Sequence, residues 1–258
     1  MAKAGFEDLE TGYEPRFDFP YRAEAPKQFY LFASVPRTGS TFVSHLLWGT
    51  GCLGAPLEYL NFLASGPYHF AQSDPLAQLE LWNSALHRRT SPNGVFGIKC
   101  FSLQLRELQR SNPKLVMDVL GTLLSKGAAA HVVQLKRRDR VAHAISYARA
   151  ALSGVWHKSQ EGAGGLGVDY SGQAVDHARL LLDQQEADWQ RLFEEIGVQP
   201  LVLWYEEVIE RPEDMVSKVA SFLEVKLDPE ASIRVPAIEK QSEVDAKLWA
   251  ELYADGSS

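Results

Sequence analysis

The sequence of 258 residues has few cysteines, no long apolar run and no excess of positive charge. Its two cysteines, Cys52 and Cys100, lack the paired spacing of zinc or redox motifs, so we expect neither a disulfide framework nor a metal site. The formal net charge of −7 disfavours a broad cationic surface, and with it binding to nucleic acid or to an anionic membrane. Any anion site should therefore be local.

Targeting and membrane-spanning signals are also missing. The N-terminal stretch contains acidic residues and no continuous apolar core, and no run approaches the roughly 18 apolar residues of a transmembrane helix. We expect a cytoplasmic protein without a signal peptide or membrane span. The length and the hydrophobic content of 45% suit a single α/β domain over residues 1–258, with its core over about residues 29–250.

Strand and helix patterns alternate along the chain. Short apolar runs predict strands at 29–35, 95–101, 131–137 and 200–205. Longer stretches with helical spacing of apolar residues predict helices at 40–49, 113–126, 139–152, 173–197 and 212–225. The alternation predicts an α/β fold in which helices flank both faces of a parallel central sheet.

A glycine-rich segment at 151–173 interrupts this alternation. Connections of this length in a compact domain are usually lids, binding loops or disordered segments, and we interpret this one as a flexible lid. Trp156 lies near its start. The side chain of Trp156 could stack on a sugar or pack in the core, and the sequence does not decide between these roles.

The stretch PRTGST, residues 36–41, joins the first predicted strand to the first predicted helix. Ligands of α/β sheets bind beyond the carboxyl ends of strands, where a helix N-terminus offers unpaired N–H groups. Gly39 allows close approach of the backbone to an anion, and Arg37 supplies charge. The predicted binding residues of this anion loop are Arg37, Thr38, Gly39, Ser40 and Thr41. A capped helix start, with Thr38 or Ser40 as N-cap, explains the same pattern equally well.

A second basic cluster follows the third predicted strand. Arg138 lies at the strand exit, Asp139 is a candidate N-cap, and Ser146 lies about two turns into the next helix. Arg138 and Ser146 can therefore converge on a second phosphate. The other basic residues of this run are Lys136, Arg137 and Arg140. Exposure to solvent at the end of a strand explains their charge, and no role is assigned to them.

Six motifs, in order over about residues 29–250, resemble the trehalose sulfotransferase family of mycobacterial type. They are SVPRTGSTFVSHLL, GTGCLGAPLEYLNF, VFGIK, RRDRVAHAISYARA, VLWYEEVIERPE and EKQSEVDAKLW. The resemblance implies a P-loop-like sulfotransferase fold. It also implies transfer of a sulfuryl group from 3′-phosphoadenosine 5′-phosphosulfate (PAPS) to a hydroxyl of a carbohydrate or glycolipid, without a metal. A homodimer is expected by the same analogy.

The resemblance also implies roles for particular residues. The anion loop should hold the 5′-phosphosulfate, and Arg138 with Ser146 the 3′-phosphate. Glu58 matches the family's catalytic carboxylate and would act as the base, with Arg37 stabilising the leaving phosphate. The segment that should approach the phosphates contains Lys240 and Gln241.

Other site residues are less determined by the sequence. Lys99 ends a buried strand, where a lysine needs a partner, and either the sulfate or Glu58 could supply it. His45 and His69 are alternative bases. Ala55 replaces an acidic residue that is common in the family, which leaves the acceptor contacts open.

Two rival functions compete with sulfuryl transfer. A P-loop-like kinase is disfavoured because the Walker A lysine pattern is absent. A nucleotide-binding protein without sulfotransferase turnover would keep the fold and the anion loop.

Overall fold

The computed structural model describes residues 11–156, 167–238 and 244–256. Within these ranges four parallel strands form one sheet, in the spatial order β2-β1-β3-β4. The strands are β1 (Gln28–Ser34), β2 (Val95–Phe101), β3 (His131–Lys136) and β4 (Leu201–Trp204). β1 lies between two neighbours, so that Leu31 is opposite Ile98 of β2 and Val132 of β3. The predicted parallel sheet is confirmed.

Helices connect and cover the strands. In the described parts of the chain they are α1 (Ser40–Gly49), α2 (Pro75–Arg88), α3 (Ser102–Ser111), α4 (Pro113–Leu123), α5 (Arg140–Ser153), α6 (Gly172–Ile196), α7 (Tyr205–Glu210), α8 (Pro212–Phe222) and α9 (Val244–Gly256). The five predicted helices correspond to α1, α4, α5, α6 and α8. The helices that the sequence pattern missed are α2, α3, α7 and α9.

The missed helices α2 and α3 have polar residues on their buried faces. The buried residues of α2 are Gln78, Trp82 and Ala85, and those of α3 are Ser102, Gln104 and Leu108. A helix whose inward face carries glutamine or serine lacks the apolar stripe on which a periodicity prediction depends.

The predicted lid at 151–173 is shorter at both ends where the structure describes it. Residues 151–153 still belong to α5, whose C-cap, Gly154, has a left-handed backbone, and α6 begins at Gly172. Residues 157–166 of the predicted lid lie outside the described residues, so its flexible role stays a prediction.

The core lies on both faces of the sheet because side chains alternate along β1. Tyr30 and Phe32 pack in one buried cluster together with side chains of α1 and α8. Leu31 and Ala33 point the other way, into a cluster with α4 and α6. Each fully buried side chain of leucine or phenylalanine size contributes roughly 1.5–3 kcal/mol. This packing fixes the carboxyl end of β1, from which the chain enters the anion loop.

Candidate active site

The anion loop, residues 36–41, makes a sharp turn between β1 and α1. Arg37 and Gly39 both have left-handed backbones, with φ of 69° and 80°. A Cβ atom at Gly39 would lie 2.5 Å from the ring of Tyr205, so only glycine fits there. Gly39 is also the N-cap of α1, and no side chain caps the helix. The first N–H groups of α1 therefore have no side-chain acceptor at the cap position, which leaves them available to an anion.

The hydroxyl groups of the loop differ in their contacts. Thr38 is completely buried; its Oγ1 donates to the carbonyl of Val35 at 2.9 Å and shares a 2.6 Å hydrogen bond with Ser34. The alternative interpretation, in which Thr38 or Ser40 caps α1, is wrong because the cap position belongs to Gly39. Thr38 braces the turn, so only its backbone is available to an anion.

Arg37 lies in a dense cluster of positive charge. Its Nε donates to Ser146 Oγ at 3.1 Å, and another nitrogen donates to the carbonyl of Trp156. Burial, followed by the charges of Arg137 and Arg149, lowers the pKa of Arg37 to about 10. The side chain therefore stays protonated at neutral pH, in surroundings where an anion would relieve the repulsion between the arginines.

Arg138 and Ser146 contact different partners in this structure. The guanidinium of Arg138 pairs with Glu207 and lies 4.9 Å from the ring centroid of Trp204. The hydroxyl of Ser146 faces Arg37. Asp139 caps α5 by accepting from the N–H of Ala142 at 2.8 Å, which confirms its predicted place. A joint role of Arg138 and Ser146 stays a prediction.

Glu58 lies beside the carboxyl end of β2. The preceding residue, Leu57, pairs with Ile98, and its carbonyl accepts from the N–H of Lys99 at 3.1 Å. The ammonium of Lys99 lies 2.9 Å from Glu58 Oε1 and donates to Thr41 Oγ1 at 3.0 Å. Of the two partners considered for this buried lysine, the structure thus shows Glu58. Lys99 connects the carboxylate to the anion loop.

The second oxygen of Glu58 accepts two amide hydrogen bonds. Gln104 Nε2 lies 2.7 Å from Oε2, and Asn61 Nδ2 lies 2.8 Å from it. The amide of Gln104 is oriented by its own oxygen, which accepts from the N–H of Phe101 at 3.0 Å. Burial alone would raise the pKa of Glu58, but the charge of Lys99 and these hydrogen bonds outweigh it and lower the pKa below its usual value. The carboxyl group of Glu58 is therefore ionised at neutral pH.

The alternative bases lie in other surroundings. His45 is buried in α1, where its Nδ1 lies 2.9 Å from the carbonyl oxygen of Pro236. His69 is exposed and contacts the carbonyl of Gly66 at 3.2 Å. Ala55, the departure from the family pattern, is completely buried. Glu58 is the residue that the structure joins to the anion loop.

Trp156 packs edge-to-face on Tyr147, with ring centroids 5.7 Å apart, while its carbonyl binds Arg37. Lys240 and Gln241 lie outside the described residues, and their predicted phosphate contacts stay predictions.

Sequence reasoning missed several residues of this site. Asn61 and Gln104 donate to the carboxylate of Glu58, while Arg137 donates to the carbonyl of Arg37 at 3.5 Å and stacks on Tyr205 with 5.0 Å to the ring centroid. The spacing Glu58-x-x-Asn61 was a usable local signal, because residues three apart in a turn can contact each other.

The described residues contain neither a metal-binding cluster nor a membrane-spanning helix. In the ranges that the structure describes, no group of three or more histidine, cysteine, aspartate or glutamate side chains could hold a metal ion. No described helix is both long and apolar enough to cross a membrane.

A family model described as Stf0 sulphotransferase matches residues 29–255. The chain belongs to this family of sulfotransferases. The match confirms the family and the enzyme class expected from the sequence motifs. It also agrees with the observed parallel sheet and thereby confirms the predicted sulfotransferase fold.

Similar curated proteins include two named trehalose 2-sulfotransferase. The one from Mycobacterium tuberculosis (strain ATCC 35801 / TMC 107 / Erdman) is 29% identical, and the one from Mycolicibacterium smegmatis (strain ATCC 700084 / mc(2)155) is 27% identical. Each alignment covers 87% of this sulfotransferase and 93% of the relative.

Solved structures with some likeness include a sulfotransferase from Alicyclobacillus acidocaldarius and the sulfotransferase domain of the curacin biosynthetic pathway. The first has a TM-score of 0.44 at 14% identity and covers 89% of this chain and 92% of its own. The second has a TM-score of 0.44 at 15% identity and covers 81% and 77%. The family assignment rests on the sequence match alone.

The hydrogen bond from Gln104 to Glu58 gives a prediction for this sulfotransferase. Gln104→Leu removes a donor to the carboxylate and should raise the pKa of Glu58. A base works in its ionised form, so activity falls as the pH drops through that pKa, and the acid limb of the kcat/KM profile should move to higher pH. The limb should move by about one to two pH units, because a hydrogen bond to a charged group is worth about 1.5–3 kcal/mol.

The matched control is Gln78→Leu, a buried glutamine of α2 whose amide donates to the carbonyl of Ala71. Its acid limb should stay where it is in the unmodified enzyme. An unmoved limb in Gln104→Leu would show that this amide does not set the pKa on which activity depends.

Proposed function

We propose that this sulfotransferase moves the sulfuryl group of PAPS to a hydroxyl of a carbohydrate, with Glu58 as the base. The observation that carries the proposal is the buried Lys99, which contacts both Glu58 and Thr41. A proton acceptor is thereby held next to the anion loop, the arrangement that transfer of a charged group to an alcohol requires. The names of the two curated relatives support a carbohydrate acceptor.

The residues of the anion loop fit the phosphosulfate of PAPS. Gly39 leaves the first N–H groups of α1 without a side-chain cap, and Arg37 adds charge and a planar donor fork. Bound PAPS would supply the activated sulfuryl group. The donors of the loop would hold its anionic oxygens, in a site where cations and backbone dipoles stabilise charge without a metal.

The remaining residues have complementary tasks in this proposal. Glu58 accepts the proton of the acceptor hydroxyl on its carboxylate. Lys99, Gln104 and Asn61 keep that carboxylate ionised and oriented beforehand. Arg37, which stays protonated, stabilises the negative charge that develops on the leaving phosphate but is a poor proton donor. The single-domain organisation, the cytoplasmic location and the homodimer stay predictions.

The proposal is tested by binding and turnover measurements on the full chain. Calorimetry should show that the desulfated nucleotide, 3′-phosphoadenosine 5′-phosphate (PAP), binds and that ATP does not compete with it. Labelled PAPS should then pass its sulfate to a sugar in a panel that begins with trehalose. Preference for ATP would favour the rival kinase, and PAP binding without transfer to any sugar would favour a nucleotide-binding protein.

Arg138 and Ser146 give a second test, directed at the proposed 3′-phosphate site. Arg138→Ala and Ser146→Ala should each weaken PAP binding by about 10- to 100-fold, since a charge-assisted contact is worth about 1.5–3 kcal/mol. The affinity for adenosine 5′-phosphosulfate, which lacks the 3′-phosphate, should change much less for Arg138→Ala. Ser146→Ala should affect both ligands, because its hydroxyl also binds Arg37.

Arg140→Ala is the matched control for these variants, because Arg140 lies in the same basic run but pairs with Asp183 and Glu186 of α6. It should leave PAP affinity unchanged. Unaltered PAP affinity in both test variants would remove the 3′-phosphate assignment.

A further inference from the structure

A strap formed by residues 11–27 precedes the range that the family model matches, which begins at residue 29. The strap is firmly attached to the domain. Arg89 donates to the carbonyl of Gly12 at 2.9 Å, and its Nε lies 3.0 Å from Asp18 Oδ1. Phe19 is buried, and the ring of Phe17 meets Trp48 edge-to-face at 5.9 Å. The family motifs therefore do not describe a segment that packs on α1 and on the end of α2.

Tyr13 of this strap reaches the proposed base. Its hydroxyl oxygen accepts a hydrogen bond from the peptide N–H of Glu58 at 3.0 Å. Among the described residues, no acceptor takes the hydroxyl proton of Tyr13. Burial and the nearby charge of Glu58 raise the pKa of Tyr13 well above its usual value, so the group remains a donor. An O–H donor thus lies beside the backbone of Glu58, near enough to feel the charge of its carboxylate.

The rings around Tyr13 suit a sugar. Tyr13 meets Tyr68 edge-to-face at 5.5 Å, and Tyr68 meets Phe70 in the same manner at 6.2 Å. Phe70 is 67% exposed although it is large and apolar. Such a row offers an apolar surface to the C–H face of a sugar ring. The Tyr13 hydroxyl can donate a hydrogen bond to a hydroxyl group at the edge of that ring.

We propose that Tyr13 is a specificity-determining residue that donates to the acceptor hydroxyl next to the one that Glu58 deprotonates. The inference rests on the proposed function and narrows its substrate class to sugars with two neighbouring hydroxyls. A donor directed at the reacting oxygen itself would lower its nucleophilicity, whereas a donor directed at its neighbour aligns the sugar. Selectivity of this kind depends on pairing a polar group of the site with a polar group of the substrate.

The test compares Tyr13→Phe with Tyr21→Phe, a matched control because Tyr21 lies in the same strap and is 61% exposed. Both variants are assayed with trehalose and with a monodeoxytrehalose that lacks the hydroxyl beside the sulfated one. With trehalose, Tyr13→Phe should lose about tenfold in kcat/KM, mainly through KM, because one hydrogen bond is removed. With the deoxy sugar, Tyr13→Phe and the unmodified enzyme should be nearly equal. PAP affinity should not change.

Each other outcome contradicts the inference. Equal loss with both sugars would show that Tyr13 only supports the backbone of Glu58, and no loss would remove any role in the site. A fully active Tyr13→Phe leaves the proposed function intact. An unmodified enzyme that sulfates neither trehalose nor any other sugar overturns the proposed function and this inference together.

Discussion

Glu58→Gln should lower turnover by roughly 10²–10⁴-fold, the range expected when general-base help is lost. Glutamine keeps the size of the side chain and one oxygen for Lys99, but it cannot take a proton at neutral pH. PAP affinity should not fall, because the anion loop keeps its backbone and Arg37, and a neutral side chain at position 58 leaves Lys99 free to attract the anion. Single-turnover kinetics with labelled PAPS measure the chemical step, which slow product release would otherwise hide.

The variant also leaves the charge of Lys99 buried beside a neutral amide, and breaking a buried ion pair can cost about 3–5 kcal/mol. The double variant Glu58→Gln/Lys99→Met separates the two effects. It should regain thermal stability without regaining turnover. Near-normal chemistry in a folded Glu58→Gln variant would contradict the assignment of the base and turn attention to His45 or His69.

Arg37→Ala should lower the rate of the chemical step by roughly 10²–10³-fold, the cost of removing one donor that stabilises transition-state charge. Its effect on PAP affinity should be much smaller, since the charge of Arg37 matters most when the leaving oxygen becomes anionic. Arg37→Lys should restore part of the rate, because lysine provides the charge but cannot serve both Ser146 and a ligand with a planar fork.

The melting temperature of Arg37→Ala distinguishes the loss of a catalytic contact from the loss of folded protein. The folded protein lowers the pKa of Arg37, so the charged side chain is less favourable there than in the unfolded chain. Arg37→Ala should therefore keep or raise the melting temperature while activity falls. The exposed Arg110, paired with Glu107 on α3, gives the control Arg110→Ala. Equal losses in PAP affinity and turnover would make Arg37 a binding residue only.

The sheet was predictable from the sequence because its strands are short apolar runs between clear turns. The helices with an apolar inward face were predictable for the same reason. α2 and α3 were not, since they bury Gln78 and Gln104, whose partners are supplied by other elements. Polar residues on a buried helix face form hydrogen bonds with residues that are distant in the sequence. The spacing of apolar residues along one helix carries no information about such contacts.

The residues of the site also fall into a group that the sequence predicts and a group that it does not. Arg37 and Glu58 lie in motifs, and the need of Lys99 for a partner follows from its place in a buried strand. Tyr13 and Gln104 are separated from Glu58 by 45 and 46 positions in the sequence, so no local sequence pattern predicts their contacts with it. Neighbouring residues of an extended chain point in opposite directions, and the sequence did not tell which side Arg137 would face.

Lys99 makes proton binding and anion binding interdependent. One ammonium group serves both Glu58 and Thr41, so an anion in the loop that attracts Lys99 weakens its hold on the carboxylate and makes Glu58 more basic. Thermodynamic reciprocity requires the converse, that protonation of Glu58 strengthens anion binding by the same factor. Binding of the donor nucleotide would thus raise the proton affinity of Glu58 before the transfer step, and it would do so through the ammonium group of Lys99.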